Sequence, residues 1–156
     1  MCWVKNFPDR TSEIDAQARF EVKQGGKGQN KWREEGDIAD LLAGPRAADL
    51  PSAEKWARDA ATHTGKISEA SFDKNELKSY TKYKQPAPTA AAMHRDYAEM
   101  QANAMVPLAD VLLHEGHADQ AAPLLVKAYS LDPMIGEVSQ LRGEIALDGA
   151  PGRGSA

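Results

Sequence analysis

The stretch that decides the fold runs from Ala102 to Met134 and reads ANAMVPLADVLLHEGHADQAAPLLVKAYSLDPM. It contains two runs in which apolar and small residues recur every three or four positions, which is the spacing of one helix face. Gly116 separates the two runs and permits the positive φ of a tight turn. Pro133 closes the second run because proline disfavours continuation of a helix. The stretch therefore predicts two helices joined by a short turn.

This pattern resembles one tetratricopeptide repeat, a pair of helices that recurs with a period of about 34 residues. The resemblance rests on Ala109, the turn glycine, the Lys127-Ala128 pair and the ending Leu131-Asp132-Pro133. Advancing by one period predicts a further capping helix over 134–147, so the chain has one repeat at 102–135 and a half repeat after it. The resemblance implies that the protein binds other proteins, as an adaptor or a chaperone-like module, and that it is not an enzyme and needs no cofactor.

A helix–loop–helix is predicted at 51–84, before the repeat. Ser52 is expected to cap its first helix and Trp56 to anchor it, while Ala61 to Ser68 form the loop and Ser71 to Tyr83 the second helix. The two helices are expected to pack through Trp56, Ile67, Phe72 and Leu77. The segment 85–88, QPAP, is predicted to be a linker because its two prolines cannot lie inside a helix.

The helical repeat region is predicted to span 89–148, with a helix from Thr89 to Gln101. A break is expected before Pro107, with Asn103 as the cap of the next helix. The N-terminal segment 1–50 is predicted to be irregular, with a short strand at 19–23 and two helical turns from Asp37 to Ala43. The segment 149–156 is predicted to be a disordered tail. The predicted fold class is therefore all-α.

The loop at 60–71 also bears a weak resemblance to a degenerate EF-hand. An EF-hand holds calcium with carboxylates at its first, third, fifth and twelfth positions. Here these positions are Ala60, Thr62, Thr64 and Ser71, none of which is a carboxylate. Calcium binding is therefore not expected, although a small calcium-sensing or metal-dependent protein stays the alternative function. A metal site at His114 and His117 is disfavoured because the two lie three apart and lack a third ligand.

Composition disfavours several classes of partner. The net charge is −4 and the pI about 5.6, so no basic excess favours nucleic acid or an anionic membrane. Cys2 is the single cysteine, which agrees with a reducing compartment. The N-terminus lacks the apolar core of a signal peptide, so a cytoplasmic protein is expected. An exported bacterial effector without a cleaved signal is the alternative.

The resemblance also implies where a partner would bind. In arrays of this family the first helix of each repeat lines the concave face. The residues on that face are Val106, Asp110, Leu113 and His114, and then, one period later, Glu137, Gln140, Glu144 and Leu147. Family members that clamp a C-terminal carboxylate use lysines and asparagines here, and only Asn103 could serve. The face instead combines carboxylates with apolar side chains, so a basic, partly apolar partner is expected. An ordinary solvated acidic face without a ligand is the alternative.

Overall fold

The computed structural model describes residues 31–44 and 49–148, which form seven α-helices. They are α1 (Lys31–Ala43), α2 (Leu50–Gly65), α3 (Glu69–Lys82), α4 (Ala90–Asn103), α5 (Val106–His114), α6 (Ala118–Leu131) and α7 (Gly136–Asp148). The described residues contain no strand, so the predicted all-α class is confirmed for them. The strand expected at 19–23 and the tail expected at 149–156 lie outside the described residues.

Helix α1 is longer than the two turns expected at 37–43. It begins at Lys31, so Asp37 lies inside the helix and does not cap it. Helices α1 and α2 pack along each other in opposite directions. At one end the Asp49 amide donates to the Leu42 carbonyl at 2.9 Å. At the other end His63, late in α2, contacts Glu35, early in α1.

The start and end of α2 differ from the expected helix. Asp49, and not Ser52, is its N-cap, and the Asp49 carboxylate accepts a hydrogen bond from the Ser52 amide at 3.2 Å. An aspartate in this position satisfies an amide that has no partner within the helix. The helix continues to Gly65, so the expected loop at 61–68 shortens to the three residues 66–68.

Helices α2 and α3 do not form the packed pair that was expected. Helix α2 packs on α1 and α5, whereas α3 contacts α4. The Phe72 ring on α3 lies 5.7 Å from the Tyr97 ring on α4, measured between centroids. The Tyr97 hydroxyl donates to the Ile67 carbonyl at 2.9 Å. Leu77, an expected contact, is 38% exposed.

The chain is not helical between α3 and α4, where the linker 85–88 was predicted, and the expected break before Pro107 is present. Residues 85–89 are not helical, and Thr89 caps α4 by accepting from the Ala92 amide. Helix α4 ends at Asn103 and α5 begins at Val106, with Pro107 in its first turn, where proline is tolerated. Asn103 is not the cap of α5, because Met105 occupies that position without a side-chain hydrogen bond.

Helices α5 and α6 form the predicted hairpin. Gly116 joins them with φ at 81°, a conformation that side chains strongly disfavour. Helix α6 packs against α4, α5 and α7, so neighbouring helices of the same chain cover it. The main core cluster unites α1, α2, α5, α6 and α7 through residues such as Ile38, Leu42, Trp56, Val111, Leu112, Leu125, Val138 and Leu141.

A candidate partner-binding groove

The expected partner-binding residues lie on two helices that contact each other, α5 and α7. On α5, Val106 is buried, Leu113 packs against the main core cluster, Asp110 is half-buried and His114 is exposed. On α7, Glu137, Gln140 and Glu144 are all exposed. The side chain of Leu147 lies outside the described residues. The face therefore presents carboxylates around side chains that are already largely covered.

Hydrogen bonds orient part of this face. The His114 Nδ1 atom lies 3.0 Å from the Asp110 carbonyl oxygen and 3.5 Å from its Oδ1 atom. The Gln140 Nε2 atom donates to the Glu144 carboxylate at 3.1 Å. The first contact holds side chains along α5, and the second holds side chains along α7.

Helix α1 also borders the predicted binding face. This position of α1 was not predicted from the sequence. A cavity of about 200 Å³ lies between α1, α5 and α7, and we call it the proximal cavity. Gly36 permits the close approach of α1 to α5, because a Cβ atom there would lie 3.3 Å from the Pro107 Cγ atom. The carboxylates that line the cavity are Asp37 and Asp40 from α1 and Glu137 from α7. Val106 and Pro107 supply apolar lining.

Like charges and burial raise the pKa values of carboxyls in this region. The pKa of Asp40 rises from 3.8 to about 7, first through desolvation between the helices and then through the charges of Glu137, Asp110 and Asp37. Desolvation also raises the pKa of Glu137, and the Asp110 charge adds to that increase. The pKa of Asp110 is raised by desolvation, while His114 opposes the increase and Glu144 adds to it. These mutual effects place Asp40, Asp110, Glu137 and Glu144 in one electrostatic cluster.

Removal of the Asp40 charge should stabilise the protein in a pH-dependent way. The native state holds the Asp40 proton more tightly than the unfolded state, so ionisation costs stability as the pH rises from 3.8 to about 7. At about pH 8, Asp40→Asn should raise the free energy of unfolding by about 1 kcal/mol, well below the value that the full pKa shift implies, because Asp40 is exposed and solvent screens its charge. At or below about pH 4 the variant and the unaltered protein should be equally stable.

Thermal unfolding followed by circular dichroism at both pH values would measure this difference. Glu34→Gln is the matched control, since Glu34 is an exposed carboxylate on the same helix. The control should show no gain that grows with pH. An equal effect of Asp40→Asn at both pH values would contradict the predicted cluster.

The residues 60–71 do not form the loop that an EF-hand requires. Ala60 to Gly65 belong to α2, and residues 69–71 belong to α3. The Thr64 hydroxyl donates to the Ala60 carbonyl at 2.9 Å within its own helix. Within 31–44 and 49–148, no group of three or more His, Cys, Asp and Glu side chains is arranged to hold a metal ion. No helix in the same ranges has the length and apolar character needed to cross a membrane.

Comparisons of the chain with protein-family models, with curated proteins and with solved structures find no match. The tetratricopeptide resemblance therefore stays a prediction that rests on the residues at 102–135.

Proposed function

We propose that the protein is a non-enzymatic interaction module, an adaptor or a chaperone-like protein, that binds a basic and partly apolar segment of another protein. The binding surface is the face formed by α5 and α7 together with the proximal cavity. The observation that supports this proposal is the cluster of Asp40, Asp110, Glu137 and Glu144 across three helices.

The clustered carboxylates repel one another, and this repulsion raises the energy of the free protein. A basic partner would relieve that repulsion, so charge complementarity favours such a partner over an acidic or neutral one. Val106 lines the proximal cavity with the carboxylates Asp40 and Glu137, and Leu113, further along α5, is partly exposed and leaves apolar surface for a side chain of the partner. This combination of an apolar centre and a charged rim is typical of protein interfaces.

The resemblance to a tetratricopeptide repeat supports a function of the same class. The hairpin α5–α6 and the following helix α7 have the order that the repeat and half repeat require. The contact between α5 and α7 supports the proposal that the two sets of residues predicted for the concave face belong to one surface.

The charge-reversal variant Glu137→Lys with Glu144→Lys tests the proposal. Both side chains are exposed on α7, so the variant should melt within a few degrees of the unaltered protein. Its affinity for a partner isolated from the native host should fall by about tenfold or more, since two attractive charges become repulsive. Binding of the unaltered protein should also weaken as salt rises, and the variant should show a flatter salt dependence.

Titration calorimetry at several salt concentrations would measure both effects. The control is Glu54→Lys with Asp119→Lys, which changes the net charge equally at carboxylates that do not line the proximal cavity. Equal affinities of the test and control variants would place the binding surface elsewhere.

A further inference from the structure

A second cavity of about 200 Å³ adjoins the proximal cavity, and we call it the distal cavity. It lies where α1 meets α3 and α4. Trp32, Phe72 and Met100 form its apolar floor, and all three belong to the second core cluster. Its remaining wall is acidic, with Glu76, Asp96 and Glu99.

The two cavities share a boundary. Trp32, Arg33 and Asn103 line both of them, so the cavities meet across the first turns of α1 and the end of α4. Trp32 is buried and is part of the lining of both cavities. A chain that leaves one cavity at this boundary would therefore enter the other.

The charges along the two cavities are strongly unbalanced. Three carboxylates line the distal cavity and three line the proximal cavity. Arg33 is the one basic side chain among the described residues that line either of them. Among the described residues, neither Glu76 nor Glu99 has an ion-pair partner. A ligand that neutralises this surface has to be cationic along its length.

Arg33 illustrates how a cation fits the boundary. Its guanidinium carbon lies 5.4 Å from the centroid of the Trp32 ring, which is the geometry of a cation–π contact. Arg33 already occupies this ring, so a lysine or arginine side chain of a partner would be balanced by the carboxylates at the rim of the cavity.

We propose that the two cavities form one continuous groove that binds a single basic, partly apolar peptide segment of a partner protein, with basic side chains in both cavities. This inference rests on the proposed function and extends its binding surface from α5 and α7 across α1 to α3 and α4. The occupant is a protein segment because each cavity is lined by both apolar side chains and carboxylates, which suits a peptide that carries apolar and basic side chains.

The test uses a fluorescently labelled synthetic peptide in which leucine and lysine alternate in blocks, with a leucine–glutamate peptide as the counterpart. Binding to the full-length protein is followed by fluorescence anisotropy at moderate ionic strength. The lysine peptide should bind, and the glutamate peptide should not. Failure of the lysine peptide to bind would overturn both the groove and the proposed function.

Two charge-reversal variants distinguish the continuous groove from the proposed function on α5 and α7. Glu76→Lys with Glu99→Lys alters the distal cavity, and Glu137→Lys with Glu144→Lys alters the proximal side. Each should weaken binding by about tenfold or more, whereas Glu54→Lys with Asp119→Lys, of equal net charge, should change it by less than about twofold. Thermal melting of each variant establishes that it is folded.

The pattern of losses decides between the outcomes. Weakening by both variants supports one continuous groove. Weakening by the proximal variant alone leaves the proposed function intact and overturns the continuous groove. Weakening by the distal variant alone overturns the continuous groove and the placement of the proposed function on α5 and α7. Effects no larger than those of the control would show attraction by net charge only and would overturn both.

Discussion

Replacement of Trp56 by alanine is expected to lower the free energy of unfolding by about 3–5 kcal/mol. Trp56 is 2% exposed and belongs to the main core cluster. It lies on α2, which packs on α1 and on α5. Its loss would remove a large apolar side chain and leave a cavity that the surrounding helices can fill only in part, because protein cores are closely packed.

Urea unfolding monitored by circular dichroism would measure this change. Val126→Ala is the matched control, because Val126 is apolar, helical and 60% exposed. The control should alter the free energy of unfolding by less than about 0.5 kcal/mol. A loss below about 1.5 kcal/mol for Trp56→Ala would mean that α2 is not fixed to its neighbours through this side chain.

The importance of Trp56 could be predicted from the sequence, but its neighbours could not. A tryptophan among alanines at helical spacing predicts a buried side chain that fixes its helix to the core, whichever element packs against it. The expected partner was the next helix, because consecutive helices with a short loop often pair. Helix α2 pairs instead with α1, whose start at Lys31 follows a polar, glycine-rich segment. The sequence of that segment has no apolar periodicity that predicts the start of a helix.

Helix α1 also carries a residue that interrupts its apolar pattern. Trp32, Gly36, Ala39 and the residues around them are buried at helical spacing, but Glu35 is buried among them. In the sequence, a glutamate at position 35 argues against burial of this face of α1, since carboxylates are seldom buried without a partner. Its partner, His63, lies 28 positions further along the chain, and sequence spacing cannot reveal a contact of that range.

The candidate site shows the same division between local and long-range information. The repeat pattern predicted Asp110, Glu137 and Glu144 on one face, because a fixed period relates α5 to α7. In the structure the Asp110 charge contributes to the raised pKa of Glu137, and the Glu144 charge contributes to the raised pKa of Asp110. The contribution of Asp40 to the cluster and the presence of the distal cavity could not be predicted. Both depend on the tertiary packing of α1 against the other helices, which the repeat period does not encode.

Glu35 and His63 form a hydrogen-bonded pair, buried on the Glu35 side, that links the start of α1 to the end of α2. The His63 Nδ1 atom lies 2.6 Å from the Glu35 Oε2 atom, and the Lys31 Nζ atom lies 3.5 Å from the Oε1 atom. The Glu35 side chain is 2% exposed, whereas that of His63 is 33% exposed. Water can therefore reach the histidine if its partner is removed, but it cannot readily reach the glutamate.

This asymmetry predicts which single substitution costs more stability. His63→Ala should lower the free energy of unfolding by about 2–3 kcal/mol, because it leaves a buried carboxylate with only the more distant Lys31 as a partner. Glu35→Leu should cost less than about 1 kcal/mol, because the remaining histidine can be hydrated and leucine fills similar space. In the absence of Glu35, replacement of His63 should therefore matter much less.

A double-mutant cycle measures this coupling. The variant with Glu35→Leu and His63→Ala should be more stable than His63→Ala alone, since Glu35→Leu removes the buried carboxylate that only Lys31 would still contact. Urea unfolding of the four proteins at one pH gives the coupling energy, which should be at least about 1 kcal/mol. Glu35→Gln provides the conservative comparison, because it keeps a hydrogen-bond acceptor for His63 without the charge. If the two substitutions prove additive, or if Glu35→Leu costs more than His63→Ala, the pair does not join α1 to α2 in the way that the burial of Glu35 indicates.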